Sequence, residues 1–279
     1  MKNICPLIFI LLFNSCDWNR SSEISETTAI PPQEILVPAF QALIDSADVE
    51  GAILIYDLEK DQYHSNDFGW SRKGQLPAST FKITNSMIAL ETGVIEDDST
   101  LIKWDGEDRR MKVWEQDLVF RDAFHFSCVP CYQEIAREIG VERMNGFLSK
   151  LNYGSMVVDS ASIDLFWLVG DSKITPFEQI HFLERFYHSE MPISEQTETT
   201  MKRLMIIEET EAYTISGKTG WSIRNGKDNG WFVGYLEVPE NTYFFATNVE
   251  PKANFEMDRF QMIRKDLSYK AFKEMRLIE

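Results

Sequence analysis

Apolar and polar positions alternate in different ways along the chain, and each pattern predicts a different element. Residues 51–57 form a run of β-branched and apolar side chains, which is typical of a buried strand. A polar turn follows at 58–62, and a return strand is predicted from Tyr63. The helical spacing of apolar residues in 32–45 predicts a helix ahead of this hairpin.

The middle of the chain is predicted to be helical. Residues 80–207 show mostly helical spacing and loops, including a short helical stretch over 129–139. Residues 171–210 hold more acidic than basic side chains around a helical apolar pattern. That stretch is therefore predicted to form solvated helices with their charged faces outward.

The last part of the chain is predicted to form a sheet. Residues 213–221 alternate like a strand, and residues 231–238 and 243–248 flank a turn, as in an antiparallel hairpin. An amphipathic helix is predicted over 257–277. Together these elements predict an α+β fold, with an antiparallel β-sheet flanked by helices and a helical subdomain.

The first residues are predicted to be a targeting segment rather than part of the fold. Residues 1–16 combine a positive start with an apolar run too short to span a bilayer, which is typical of an export signal. The segment ends at Cys16 in a box similar to that of bacterial lipoproteins, although Phe13 stands where a smaller aliphatic residue is usual. Lipidation of Cys16 is the favoured interpretation, and cleavage elsewhere nearby is the alternative.

The expected organisation follows from this leader. Residues 17–33 are rich in Ser, Thr, Glu and Pro without apolar periodicity, so they are predicted to be a flexible tether. The folded domain is expected over 34–279. The protein is therefore expected to be exported, either to the periplasm or to the cell envelope through a lipid anchor.

Charge excludes some functions and leaves others open. The 279 residues carry a formal net charge of −16, which argues against binding nucleic acid or an anionic membrane through a general positive field. The four histidines form no recognisable metal-binding pattern, so no metal cofactor is expected.

Ser79 and Lys82 form the first candidate chemical pair. Three residues apart at the start of an apolar helical pattern, they would project from one face of a helix. A serine hydroxyl is a weak nucleophile until a base removes its proton, and a lysine can be that base only if burial suppresses its charge. Alone, the pair is weak evidence, because the same spacing occurs on many exposed helices.

Two further motifs follow in order and make the signal specific. Ser127 opens a Ser-Cys-Val triplet, and Lys218-Thr219-Gly220 lies within the strand predicted over 213–221, which is expected to be an edge strand facing the site. A Ser-x-x-Lys pair, a serine triplet and Lys-Thr-Gly in this order are the motif set of penicillin-recognising proteins.

The chain resembles the class D, oxacillinase-type, serine β-lactamases from about Glu34 to its C-terminus. The segments that carry this resemblance are Pro77-Ala-Ser-Thr-Phe-Lys-Ile83, Ser127-Cys-Val-Pro-Cys-Tyr-Gln133, Tyr153-Gly154, Ile163-Asp-Leu-Phe-Trp-Leu168, Lys218-Thr-Gly-Trp221, Trp231-Phe-Val-Gly-Tyr235 and Ile263-Arg-Lys-Asp-Leu267. Ser155 stands where the family has asparagine, which concerns local hydrogen bonding rather than the reaction.

The resemblance implies hydrolysis of β-lactam antibiotics through an acyl-enzyme on Ser79, and hence antibiotic resistance. It implies that Lys82 takes up CO₂ as a carbamate (N6-carboxylysine) and serves as general base for acylation and deacylation. The positions that match the family's apolar pocket around this lysine are Phe81, Val129, Trp167 and Leu168. Trp167 is implied to hold the carbamate through its indole N–H, and Ser127 to relay a proton to the leaving nitrogen. CO₂ or bicarbonate is the only small molecule required besides the substrate.

The resemblance also implies how the β-lactam is bound. The matching substrate-binding positions are Lys218, Thr219, Gly220, Trp221 and Arg264. The lysine, threonine and arginine would bind the substrate carboxylate, with Arg259 as the rival arginine. The backbone N–H groups of Ser79 and Trp221 would form the oxyanion hole.

Cys128 and Cys131 leave three interpretations open. Zinc would need two more ligands and is unfavoured. Two small apolar side chains filling core positions is the favoured interpretation, because free cysteine behaves as a small buried hydrophobe. A local disulfide, which an exported location permits, is the remaining alternative.

Two other functions share these motifs. One is a β-lactam sensor domain, which becomes acylated once and does not hydrolyse the adduct. The other is a penicillin-binding DD-peptidase that acts on the cell wall. The Ser-x-Val, Phe-Trp-Leu and Lys-Thr-Gly-Trp segments favour the class D enzyme over the peptidase. A sensor of this type is expected to carry several membrane helices ahead of the domain, and no such series is predicted here.

Overall fold

A computed structural model of the protein describes residues 31–279. The export signal predicted over 1–16, with Cys16, and the tether as far as residue 30 lie outside the described residues. Gln33, at the end of the predicted tether, belongs to the first strand. The strands are β1 Gln33–Leu36, β2 Val49–Asp57, β3 Gln62–Ser65, β4 Leu101–Ile102, β5 Leu118–Val119, β6 Ile206–Glu209, β7 Thr214–Arg224, β8 Lys227–Val238 and β9 Asn241–Pro251.

Seven of these strands form one sheet in the order β1-β3-β2-β9-β8-β7-β6. All neighbouring pairs are antiparallel except β1 with β3, which is parallel. The hairpin predicted near the end of the chain is β8–β9, in which Val238 pairs with Asn241. The two short strands β4 and β5 pair separately and bracket a long loop between them.

Helices cover both faces of the sheet. They are α1 Pro38–Ser46, α2 Phe68–Ser71, α3 Lys82–Glu91, α4 Phe120–His125, α5 Val129–Ile139, α6 Val141–Leu151, α7 Pro176–Tyr187, α8 Glu195–Leu204 and α9 Phe260–Glu274. The first and last helices bury Phe40, Ile44 and Phe272 against one face. The others build a larger core on the opposite face, so the predicted α+β fold with a helical subdomain is confirmed.

Two predicted helical segments contain strands instead. Residues 33–36 form β1, because Pro38 favours an extended residue before it and starts α1 only afterwards. Residues 206–209 form β6, which pairs with Thr214 to Ser216 of β7. β7 therefore extends past its pairing with β6 at Lys218 and Thr219. The edge strand of the sheet is β6, not β7 as expected.

Two kinds of feature are absent from the part of the chain that the structure describes. Among residues 31–279, no helix is both long and apolar enough to cross a bilayer. The same residues contain no cluster of three His, Cys, Asp or Glu side chains that could hold a metal ion.

Candidate active site

The candidate nucleophile lies in a tight turn that leads directly into α3. Residues Ala78–Phe81 form a single turn of 3-10 helix, and α3 begins at Lys82. Lys82 Nζ lies 3.2 Å from Ser79 Oγ, within hydrogen-bonding distance. The predicted pairing of serine and lysine side chains on one face is therefore present, at the helix N-terminus where the sequence pattern expects it.

This turn is held in a backbone conformation that its sequence disfavours. Ala78 has φ +51°, in the left-handed region that costs a residue with a side chain roughly 1–2 kcal/mol. Its N–H donates to the Trp167 carbonyl at 2.8 Å, and the Thr80 hydroxyl donates to the Pro77 carbonyl at 2.6 Å. These bonds fix the direction in which Ser79 points.

Lys82 is in a place where its charge is strongly disfavoured. Its side chain is 1% exposed, and Nζ lies 4.8 Å from the centre of the Tyr132 ring. Burial lowers the pKa of Lys82 well below its ordinary value, and the positive charge of Lys218 lowers it further. The lowered pKa favours the unprotonated amine, whose free lone pair is what a general base requires.

Trp167 contributes a buried hydrogen-bond donor to this site. Its ring is fully buried and stacks on Phe81 with ring centres 5.4 Å apart, and its Nε1 has no hydrogen-bond partner among the described residues. An unsatisfied buried N–H costs about 1–3 kcal/mol. Because indole only donates, the missing partner must be an acceptor, and an anion suits it best.

Ser127 and Lys218 form a second polar pair. Ser127 lies between α4 and α5 with φ +54°, and its Oγ accepts a hydrogen bond from Lys218 Nζ at 3.2 Å. Burial lowers the pKa of Lys218 to about 7, and the charges of Arg264 and Lys265 act in the same direction. Lys218 Nζ also donates to the Thr219 carbonyl at 3.1 Å.

Gly220 allows β7 to lie directly against the nucleophile turn. A Cβ atom at this position would lie 3.1 Å from the Pro77 carbonyl oxygen and 3.2 Å from the Thr80 nitrogen. Only a residue without a side chain fits this approach comfortably. The backbone of Trp221 therefore follows close to the turn that carries Ser79, as an oxyanion hole made from these two residues requires.

One of the two candidate arginines reaches this strand. Arg264 is buried, donates from Nη1 to the Gly220 carbonyl, and lies 5.7 Å from the centre of the Trp221 ring. Burial lowers its pKa to about 10, so it stays charged at neutral pH. Arg259 is exposed and lies over Phe255 instead. Of the two, Arg264 is the one held against the Lys-Thr-Gly strand.

The structure corrects the favoured interpretation of the two cysteines. Cys128 and Cys131 are bonded to each other as a disulfide, not separate apolar side chains. Cys128 is the N-cap residue of α5, and Cys131 lies in the first turn of that helix, which brings their Cα atoms to 5.4 Å. Val129 begins the helix and is half-buried against the larger core.

Sequence reasoning missed one buried polar side chain near the nucleophile. Gln179 of α7 donates from Nε2 to the Thr80 hydroxyl at 2.9 Å and to the Tyr153 hydroxyl at 3.3 Å. It lies four residues before Leu183 on the apolar face of that helix. A polar residue on an otherwise apolar face was the available signal.

Comparison with known proteins first defines a class. The family described as the penicillin binding protein transpeptidase domain matches residues 50–267. This range includes every site residue described above except those of the leader. The chain is thus one of the serine proteins that share the transpeptidase fold.

Individual relatives narrow the class to one family. β-Lactamase OXA-48 of Klebsiella pneumoniae is 38% identical over 218 residues, which are 78% of this chain and 82% of that protein. β-Lactamase OXA-10 of Pseudomonas aeruginosa is 39% identical over 205 residues, covering 72% and 77%. The crystal structure of the class D β-lactamase YbXI from Nostoc superposes with a TM-score of 0.82 at 40% identity, covering 86% of this chain and 99% of that one. The chain belongs to the class D serine β-lactamases.

Proposed function

We propose that this protein hydrolyses β-lactam antibiotics through an acyl-enzyme on Ser79, with the side chain at position 82 as general base. The observation that carries the proposal is the contact between Ser79 Oγ and a buried lysine whose charge is suppressed. A protonated lysine could not accept the serine proton, so the low pKa turns a common helix motif into a nucleophile and base.

Acylation uses the two polar pairs in turn. As Ser79 Oγ attacks the lactam carbonyl, its proton passes to Lys82 and negative charge grows on the carbonyl oxygen. The N–H groups of Ser79 and Trp221 stabilise that oxygen, at roughly 3 kcal/mol for each donor. When the lactam C–N bond breaks, the ring nitrogen takes the proton of the Ser127 hydroxyl, which is hydrogen-bonded to Lys218. The proton held by Lys82 replaces it on Ser127, so position 82 is free to accept a proton again.

The residues around Lys82 also fit the CO₂ adduct that the family implies. A neutral amine is the form that can react with CO₂, and the Trp167 N–H, which has no partner within residues 31–279, offers a donor to an anion. When bound to Lys82 Nζ, CO₂ supplies an anionic oxygen base in place of the amine. Phe81 belongs to the apolar core here, and the half-buried Val129 and Leu168 pack against that core, which limits access of water to the same place.

Substrate binding is proposed to rest on the positive charges beside β7. Penicillins carry a carboxylate next to the lactam ring, and Lys218, Thr219 and Arg264 are the side chains offered to it. Gly220 lets this strand lie close enough for the carboxylate and the reacting carbonyl to be held together. Water then hydrolyses the ester of Ser79, with position 82 again accepting a proton.

We also propose that the protein is exported and confers resistance from outside the cytoplasm. The apolar leader over 1–16 supports export, and Cys16 is the proposed site of lipid attachment. The test is cell fractionation with and without Cys16→Ser. Loss of the protein from the membrane fraction is expected, and an unchanged distribution would contradict the anchor.

Penicillin turnover by purified protein and by Ser79→Ala tests the function. We expect many turnovers for the natural chain and none for the variant, because the acyl-enzyme needs Ser79 Oγ. A stable adduct without turnover would identify a sensor instead. Release of D-alanine from D-Ala-D-Ala peptides, with no β-lactam turnover, would identify a cell-wall peptidase.

A further inference from the structure

The segment that carries Ser127 is a short turn between two helices, and its backbone is strained. Ser127 has φ +54°, which serine rarely adopts. The next residue, Cys128, donates its N–H to the Ala123 carbonyl at 2.9 Å. Trp114 Nε1 donates to the Phe126 carbonyl at 3.1 Å. A turn of this kind stays in place only if its neighbours hold it.

The disulfide holds the other end of this turn. Cys128 caps α5, and its Sγ accepts a hydrogen bond from the Cys131 N–H at 3.2 Å in addition to the covalent bond. The residue directly after Ser127 is thereby tied to the first turn of the helix that begins at Val129. Both neighbours of the cap, Ser127 and Val129, are positions used by the proposed reaction.

The disulfide also borders a cavity. A cavity of about 260 Å³ opens beside it, and Cys128, Pro130, Cys131 and Trp114 contribute to its walls. Cys131 is 9% exposed, whereas Cys128 is almost fully covered. Attack by a small thiolate would therefore start at the Cys131 sulfur.

We propose that the Cys128–Cys131 disulfide positions Ser127 for proton transfer, so that its reduction by a dithiol slows turnover without unfolding the enzyme. This role rests on the proposed function. In the reaction, one thiolate of the dithiol attacks Cys131 Sγ, the Sγ–Sγ bond breaks, and the second thiol releases the mixed disulfide. The dithiol is oxidised to a disulfide, and the cysteine pair gains two electrons and two protons as two thiols.

Reduction is expected to change kcat more than KM. Without the bond, the turn relaxes and the Ser127 hydroxyl spends less time within reach of Lys218 Nζ. Proton transfer by a positioned group contributes roughly 10²–10⁴-fold, so partial loss of position predicts a fall in kcat of about tenfold. KM is expected to change by less than about twofold, because Arg264 and Thr219 lie on other elements.

The experiment compares the purified protein before and after treatment with dithiothreitol. Alkylation with iodoacetamide and peptide mass mapping establish that Cys128 and Cys131 are the cysteines reduced. Penicillin turnover gives kcat and KM, thermal melting reports the fold, and reoxidation is expected to restore kcat. The double variant Cys128→Ser/Cys131→Ser keeps an oxygen at the N-cap but cannot form the bond. We expect it to have the low kcat of the reduced enzyme and no response to dithiothreitol.

Three outcomes of this experiment would overturn the proposal. If reduced enzyme and double variant keep kcat within twofold of the oxidised enzyme, the disulfide does not position Ser127. If kcat falls only where melting shows unfolding at the assay temperature, the disulfide serves the fold alone. If the oxidised enzyme itself shows no turnover, the proposed function fails, and this role fails with it.

Discussion

Replacement of Trp167 by phenylalanine isolates the one indole N–H that the proposed CO₂ adduct would use. Trp167→Phe keeps an aromatic ring stacked on Phe81 and removes a donor that has no partner among the described residues. Loss of this donor costs the unmodified site nothing in hydrogen bonding. A change in bicarbonate dependence therefore reports on the adduct, whereas the smaller ring affects stability at any bicarbonate concentration.

The size of the effect follows from the kind of hydrogen bond. A hydrogen bond to a charged group contributes about 1.5–3 kcal/mol. Since roughly 1.4 kcal/mol corresponds to a factor of ten, the affinity of Lys82 for CO₂ is expected to fall by about 10- to 150-fold. At limiting bicarbonate, penicillin turnover by Trp167→Phe is expected to fall accordingly, and high bicarbonate is expected to recover part of it.

The assay is penicillin turnover as a function of bicarbonate concentration in otherwise CO₂-free buffer. Trp231→Phe is the matched control, because its indole is equally buried but donates to the Leu76 carbonyl at 2.8 Å. The control is expected to lower stability and to leave the bicarbonate midpoint unchanged. An unchanged midpoint in Trp167→Phe would refute the reasoning that this N–H holds an anion.

Three further predictions concern glycine packing and lysine titration. Gly220→Ala is expected to lower kcat about tenfold, because its Cβ pushes β7 away from the nucleophile turn by a few tenths of an ångström. Gly146→Ala is the control and should leave kcat unchanged, because a Cβ there meets nothing within 4 Å. Equal kcat values for the two variants would refute the contact between Gly220 and the turn. Lys82→Met is expected to be more stable than the natural chain at pH 7 in CO₂-free buffer. The folded-state pKa of Lys82 is depressed, so unfolding takes up a proton at any pH between that pKa and about 10.4, and natural-chain stability rises with pH across this window. Chemical denaturation at several pH values should show the gap between the two proteins closing towards pH 10.4, and a constant gap would contradict a neutral Lys82. The pKa of Lys218 is about 7, so its ammonium group loses its proton above that pH. KM for penicillin is therefore expected to rise by up to about tenfold per pH unit above pH 7. A KM that stays constant between pH 6 and 9 would contradict carboxylate binding by this side chain.

Strong local patterns predicted the large elements correctly. The β8–β9 hairpin follows from two alternating runs joined by a short turn, and α5 begins at Val129 as its helical spacing indicates. The strands β1 and β6 were missed because each has only four residues. Segments so short take their structure from the strand they pair with, and that partner is distant in sequence.

The site was predictable where chemistry and spacing coincide. Ser79 and Lys82 come from one helical turn, and the order of the motifs links them to Ser127 and Lys218 across the fold. The strained backbone of Ala78 could not be predicted, because its φ is imposed by a hydrogen bond to the Trp167 carbonyl from a remote loop. The state of Cys128 and Cys131 could not be predicted either. Their sulfurs come within bonding distance because Cys128 is the N-cap of α5 and Cys131 lies in its first turn, which spacing alone does not show.

The central claim is that Ser79 is acylated by a β-lactam and then freed by water, with position 82 as base in both steps. The most direct measurement is intact mass of the protein, quenched during and after exposure to excess penicillin, alongside the count of penicillin molecules consumed. We predict an adduct of one penicillin molecule that maps to Ser79 and disappears when the substrate is exhausted. Each enzyme molecule is expected to have consumed many penicillin molecules by then. In Lys82→Ala, which lacks the base, the adduct is expected either to form slowly or, once formed, to remain on Ser79. Turnover without any adduct on Ser79, or full turnover in Lys82→Ala, would contradict the mechanism.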